Sequence, residues 1–209
     1  MNELAVRAAS GIVMIIVAVA CLWFGGWPFR ILVAVAAFLM AGEWLRLTSR
    51  AGAGLRWFGL PYLILPVIGL LLLRDSSQGF ALTFWTFLIV WGTDIGAYFT
   101  GRAIGGPKLA PAISPSKTWS GLIGGMIAAG LIGAFVARHF DLPAPCVWLG
   151  APLAILAQAG DFFESWLKRR AGVKDSGAIL PGHGGALDRL DGLVPVASVM
   201  GLLLWSGLL

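Results

Sequence analysis

The sequence predicts an all-α, polytopic integral membrane protein of about seven transmembrane helices, with the N-terminus cytoplasmic and the C-terminus outside. Three observations carry this: an apolar composition, the lengths of the apolar runs, and the placement of Lys and Arg along the chain. Of the 209 residues, 58% are hydrophobic and 12% charged, with a mean hydropathy of +0.87. Soluble domains carry roughly a quarter charged residues, so water is not the main solvent of this chain.

A bilayer core about 30 Å thick needs roughly 20 apolar residues of helix to cross. Runs of that kind lie at about 9–27, 31–47, 58–73, 80–100, 119–137, 147–167 and 190–209. The first follows Arg7, as a signal peptide would. It continues through Trp23, Phe24 and Trp27 without a small-residue cleavage site, which suits a membrane interface better. The third is short and contains Pro61 and Pro66, so it is expected to be kinked or partly re-entrant.

Twelve of the fifteen Lys and Arg fall on one side of this arrangement: Arg7; Arg46, Arg50 and Arg56; Arg102, Lys108 and Lys117; and Lys168, Arg169, Arg170, Lys174 and Arg189. Only Arg30, Arg74 and Arg138 fall on the other, and this bias sets the orientation. The formal charge of +5 therefore flanks apolar segments and does not mark a nucleic-acid surface. The two cysteines, Cys21 and Cys146, both lie toward the outer surface and read as packing residues, with a disulfide left open.

Charged groups inside a membrane cost at least ~2.5–3.5 kcal/mol each on insertion scales, so they usually face protein or water. Glu43, Asp94, Asp161, Glu164 and Asp191 lie within or at the edge of the expected spans, and Asp188 just before the last. All approach the cytoplasmic end of their segments, which predicts a polar cavity at the inner face. Asp161 and Glu164 are three apart, as are Asp188 and Asp191, so each pair can share a helix face. Like charges on one face favour a divalent cation with oxygen ligands; the competing reading pairs them with nearby bases such as Arg169 and Arg189.

Two polar loops interrupt the apolar pattern. The first, Thr100 to Thr118, holds Gly101, Gly105 and Gly106 with Arg102, Lys108 and Lys117, and leads into a helix whose N-terminus is expected to carry Ser116, Lys117 and Thr118 as an anion site. The second places Lys168, Arg169, Arg170 and Lys174 before Pro181-Gly-His183-Gly-Gly185 and Asp188-Arg-Leu-Asp191. A histidine flanked by glycines, five residues before Asp188, is a credible contact to a phosphate or a metal-bound carboxylate.

The second loop, with Ser165-Trp-Leu-Lys-Arg169, Lys174-Asp-Ser-Gly177, Leu180-Pro-Gly-His-Gly-Gly185 and Leu187-Asp-Arg-Leu-Asp191, resembles the phosphatidate cytidylyltransferases, or CDP-diglyceride synthases. Asp94 with Gly96-Ala-Tyr-Phe99 and Gly101-Arg102, followed by Ser114-Pro-Ser-Lys-Thr-Trp-Ser-Gly121, is similar to a second block of that family. The matching regions cover about residues 91–125 and 158–195. Where members commonly have Lys-Lys-Thr-Trp-Glu-Gly, this chain has Ser116 and Ser120 in place of the first Lys and the Glu. Members are also typically longer, with extra N-terminal helices.

The resemblance implies attack by a phosphatidate oxygen on the α-phosphorus of CTP, giving CDP-diacylglycerol and pyrophosphate in phospholipid biosynthesis. It implies Mg²⁺, with a second cation left open, and Asp161, Asp188 and Asp191 as metal ligands. It casts Asp161, Asp188, Lys174, Arg189 and His183 as catalytic, and Lys117, Lys168, Arg169, Ser116, Thr118 and Asp94 as substrate-binding. Residues 1–209 then form one transmembrane domain in the bacterial inner membrane: 1–79 give the N-terminal helices, and 80–209 the catalytic helices with cytoplasmic loops 101–118 and 168–189. CTP, phosphatidic acid and membrane lipids are the expected partners, with a homodimer left open and no nucleic acid. Two rivals remain at this level: a membrane enzyme acting on another lipid phosphate or an isoprenoid lipid, and an ion-coupled transporter, which explains poorly why the acids gather at one face.

Overall fold

The computed structural model describes residues 3–49, 52–179 and 184–209. Its elements, in order, are α1 Glu3–Phe24, α2 Gly26–Leu47, α3 Ala53–Asp75, α4 Gly79–Ile104, β1 Lys108–Ala110, β2 Ser114–Thr118, α5 Trp119–His139, α6 Cys146–Ala171, α7 Leu187–Leu190 and α8 Leu193–Trp205. The protein is a helical bundle, and α2 to α6 are each long and apolar enough to cross a membrane. Two further apolar helices, Ala9–Phe24 and Leu193–Trp205, are shorter. Large apolar side chains point outward along the bundle, among them Phe38 (79% exposed), Phe135 (71%) and Leu131 (69%), as lipid-facing positions should.

The interior is built for close helix contact. In α5 the run Gly121-Leu-Ile-Gly-Gly-Met-Ile-Ala-Ala-Gly-Leu-Ile-Gly133 would make a poor helix in water, where each Gly costs about 1 kcal/mol against Ala. In lipid the backbone has no other donor or acceptor, so helix is enforced, and the small residues become an asset. A methyl group on Gly96 of α4 would sit 2.6 Å from the Ala128 Cβ and 2.8 Å from the Gly124 carbonyl oxygen of α5. On the other flank α3 meets α8 through Gly69 and Gly201, where a Cβ on Gly201 would lie 2.3 Å from the Gly69 Cα. Buried Thr83, Thr86 and Thr93 satisfy their hydroxyls within α4 by donating to the carbonyls of Gly79, Leu82 and Ile89.

Three expectations change in detail. The third segment, short in the apolar pattern, is one continuous helix: α3 runs 23 residues with Pro61 and Pro66 inside it. Each proline removes a single backbone bond, and the neighbouring turns carry the helix on. The seventh segment, in contrast, is interrupted. The short α7 ends at Leu190, and α8 resumes after Gly192 for 13 residues, about 20 Å; Pro195 in its first turn has no N–H to extend the helix backward. The first polar loop contains an antiparallel hairpin, β1 paired with β2 as Lys108 with Thr118 and Ala110 with Ser114, the one departure from an all-α fold among the described residues.

One end of the bundle is closed by ordinary polar contacts. Arg30 pairs with Asp75 at 2.9 Å, Arg74 Nε donates to the Leu22 carbonyl at 3.0 Å, and Gln78 Nε2 to the Asp141 carbonyl at 2.9 Å. Cys21 and Cys146 are both free thiols. The opposite end carries the hairpin, the basic stretch of α6 and the acids.

Candidate active site

Helix α4 continues past its apolar run to Ile104, and Gly105 and Gly106, both at positive φ (65° and 102°), turn the chain into the hairpin. The hairpin lies along α5, and Thr118 caps that helix by accepting the Gly121 N–H at 3.1 Å. Ser116 and Lys117 are therefore on a strand and not on a helix N-terminus; the hairpin, not a helix dipole, aims them. Ser120 turns its hydroxyl to the Gly105 carbonyl, closing the hairpin onto the end of α4.

A cavity of about 580 Å³ opens between α4, the hairpin, α5 and α6. Asp94, Tyr98 and Arg102 line it from α4, Lys108 from β1, Ser116, Lys117 and Thr118 from β2, and Gln158 and Asp161 from α6. Lys117 crosses it: its Nζ donates to Gln158 Oε1 at 2.9 Å, forms an ion pair with Asp161, and lies 5.4 Å from the Phe162 ring centroid. Arg102 is held on the Tyr98 hydroxyl at 2.8 Å. Gln158 and Asp161, at the start of the second matching region, thus share one cavity with the first motif block, whereas none of the described residues of 165–191 lines it.

A second network lies where α6 meets α7. Lys168 Nζ stands 2.6 Å from Glu164 Oε2 and 2.6 Å from Asp188 Oδ1. Asp188 Oδ2 accepts three further bonds, each 2.8 Å long, from the Ser176 N–H, the Ser176 hydroxyl and the Gly185 N–H. Burial works to raise the pKa of Asp188, but the Lys168 ammonium and the Gly185 N–H outweigh it and hold the carboxyl well below the usual carboxylate range. Glu43 of α2, 3% exposed, joins the same network: its carboxylate accepts the Ala186 N–H at 2.9 Å and the Leu187 N–H at 2.8 Å, and at 3.1 Å it shares with Asp188 the single Ser176 hydroxyl proton.

The remaining residues singled out from the sequence scatter around these centres. Asp191 stands at the α7–α8 break and accepts the Gly192 N–H at 2.8 Å. Its backbone presses on α6, where a methyl on Gly160 would approach the Asp191 carbonyl oxygen to 2.2 Å. Arg189 is exposed on α7, close enough for its charge to act on Asp94. Arg169 is exposed and reaches the Ile113 carbonyl of the hairpin turn at 3.5 Å, and Lys174 is exposed on the following loop. His183 lies outside the described residues.

The helical spacing of the paired acids is present, but their partners are not each other. Asp161 looks to Lys117 and Glu164 to Lys168, lysines supplied by different elements, while Asp188 turns to the Ser176 loop. Pairing with bases therefore holds for these three, through lysines and not through Arg169 or Arg189. The sequence assigns no role to Gln158 or Ser176; a lone amide in the apolar run of α6 is the available signal for Gln158, and for Ser176 it is its place inside the Lys174-Asp-Ser-Gly177 string.

The donor set is all oxygen, which suits a hard divalent cation. The Asp191 carboxylate lies close enough to Asp161, Glu164 and Asp94 to be repelled by all three, and Glu164 Oε1 is buried with no hydrogen-bond partner among the described residues. No three acidic, His or Cys side chains among the described residues are grouped to enclose an ion.

The profile of the Cytidylyltransferase family matches residues 49–206, a stretch that holds the hairpin, the cavity and the Asp188 network. The chain belongs to this family. Proteins named phosphatidate cytidylyltransferase are similar to it: one from Brucella suis is 49% identical over 175 residues, covering 81% of this chain and 62% of the relative. One from Rickettsia typhi is 38% identical over 205 residues, covering 92% and 88%. One from Haemophilus influenzae is 43% identical over 150 residues, covering 65% and 52%. The chain thus spans less than two thirds of the length of the Brucella relative and nearly the whole of the Rickettsia one. Within this family member, α1 and Glu43 of α2 stand before the matched stretch.

Proposed function

We propose that the protein transfers a cytidylyl group from CTP to phosphatidate, forming CDP-diacylglycerol and releasing pyrophosphate. The observation that carries this reading is Lys117: the hairpin delivers its ammonium across the cavity onto Gln158 and Asp161, so that the first family motif and the start of the second matching region form one polar site at one end of a lipid-facing bundle. The relatives' name supplies the lipid and the nucleotide.

In this reaction a phosphate oxygen of phosphatidate forms a bond to the α-phosphorus of CTP, and the bond from that phosphorus to the bridging oxygen of the β-phosphate breaks. The nucleophile is already an anion, so the protein's task is to align two highly charged groups and to stabilise the leaving pyrophosphate. Lys117 and the nearby Arg102 and Lys108 offer cationic donors on the hairpin side of the cavity. Substrate phosphate would draw Lys117 from Asp161 and free that carboxylate. Asp161, with Asp191 as a second carboxylate, would hold Mg²⁺, whose charge would neutralise phosphate oxygens when bound, while Asp188 keeps its ion pair with Lys168.

The reading includes seven crossings with the N-terminus inside and the site on the cytoplasmic face of a bacterial inner membrane. CTP would arrive from the cytoplasm and phosphatidate sideways through the leaflet. The positive-inside bias supports that orientation. The test is Mg²⁺-dependent pyrophosphate release by detergent-purified protein supplied with CTP and phosphatidate, comparing wild type with Asp161→Asn at equal monodisperse amounts. The expected result is phosphatidate-dependent release, absent with ATP and reduced about 100-fold or more in the variant. No phosphatidate-dependent release from monodisperse wild type would overturn the assignment.

A further inference from the structure

We propose that Glu43 is a positioning residue of the active site: from α2 it clamps Ser176, Ala186 and Leu187 and, through the hydroxyl of Ser176, fixes the Asp188–Lys168 pair. The inference rests on the proposed cytidylyl transfer for its kinetic consequence, but its structural content stands apart from that reaction.

A carboxylate buried to 3% exposure in a membrane helix needs compensation, and Glu43 finds it almost wholly in the loop backbone. Oε1 accepts the Ala186 N–H, and Oε2 accepts the Leu187 N–H and the Ser176 hydroxyl. The loop is shaped around this group. A Cβ on Gly177 would lie 2.4 Å from Glu43 Oε1, and one on Gly185 would lie 2.5 Å from Oε1 and 2.2 Å from Ser176 Oγ. One turn beyond Glu43, Arg46 donates to the Ser176 carbonyl.

Ser176, fully buried, therefore commits every polar group it has. Its N–H goes to Asp188, its hydroxyl lies between Glu43 and Asp188, and its carbonyl takes Arg46. The consequence passes along one chain of contacts, Glu43 to Ser176 to Asp188 to Lys168. Without Glu43 the α7 N-terminus loses two acceptors and Ser176 loses one anchor, so Asp188, although it keeps the Ser176 and Gly185 N–H groups, is held less firmly against Lys168. Glutamate is specified over glutamine because every group facing it is a donor; an amide would turn its NH₂ toward a backbone N–H or the hydroxyl. The helices that form the bundle interior do not depend on this contact.

The test uses the full chain in detergent with Glu43→Gln, Gly185→Ala, Ser176→Ala and the Glu43→Gln/Ser176→Ala double variant. Hydrogen exchange should quicken at residues 184–187 in Glu43→Gln and Gly185→Ala while α4, α5 and α6 keep wild-type protection. Per folded molecule, kcat for pyrophosphate release should fall about tenfold or more while KM for CTP moves less than about threefold, because the hairpin side of the cavity is untouched. The double variant should lose no more than Glu43→Gln alone, as a shared path requires. Unchanged exchange at 184–187, an unchanged kcat per folded molecule, or losses that multiply in the double variant would each overturn the inference. Wild-type protein without phosphatidate-dependent release would remove the proposed reaction, and the exchange measurement would still decide whether the clamp exists.

Discussion

At the scale of single residues, the site depends on which base each carboxylate meets. Lys117 neutralises Asp161 and also accounts for the buried amide of Gln158. Lys117→Met should leave Asp161 without its cation and reduce pyrophosphate release about 100-fold, with Lys117→Arg recovering little because a planar guanidinium does not fill the place of a point charge. Initial rates at equal folded protein check this.

Asp188 makes a different prediction, one of stability. Asp188→Asn removes the Lys168 ion pair and turns an NH₂ toward donors, yet Lys168 keeps Glu164, so the cost should be about 2–3 kcal/mol, read as a lowered unfolding temperature. The pKa of Asp188 is lower folded than unfolded, so its contribution is fully present above its unfolded value of about 3.9 and is lost as pH falls through the folded value. The gap between wild type and variant should therefore hold from pH 7 down to about 4 and narrow only below that.

At the scale of elements, contact between helices is set by glycine as much as by apolar bulk. Gly69 on α3 and Gly201 on α8 touch, and neither helix can carry a side chain there without moving. Gly201→Val should separate α8 from α3 and destabilise the protein by about 1–3 kcal/mol or more, measured as early loss of monodispersity on heating. The hairpin is the other element with a task. Its strands are short and contain Pro111 and Pro115 at or beside them, so no alternation marked them in the sequence; a two-stranded ribbon, however, leaves free edges where a proline breaks no ladder bond. Its formation turns Lys117 toward α6, which a helix N-terminus at Ser116 would not do.

At the scale of the whole molecule, polar chemistry gathers at one end of the bundle. The hairpin, the α6 basic stretch, α7 and the C-terminal end of α2 meet there, and the Arg30–Asp75 and Gln78–Asp141 contacts occupy the other. With Cys21 and Cys146 replaced by Ser, a cysteine at exposed Ala112 should react with a membrane-impermeant maleimide only from the cytoplasmic side, and one at exposed Asp141 only from the outside. Labelling of Ala112→Cys from outside would reverse the proposed orientation.

The sequence by itself determined the solvent, since a chain 58% hydrophobic with apolar runs near 20 residues has no way to satisfy its backbone in lipid except as helices. It also determined the chemical inventory and the family, because both motifs are local strings. Pairing was decided only by the tertiary structure. Helical periodicity places Asp161 and Glu164 on one face, but it cannot say that Lys117 arrives from a hairpin 44 residues earlier or that Lys168 is shared with Asp188. Least legible of all was the pairing of Glu43, whose three donors on Ser176, Ala186 and Leu187 lie more than 130 residues away in the sequence. Local strings fix what a residue can do, whereas close packing of distant segments fixes which partner it does it with.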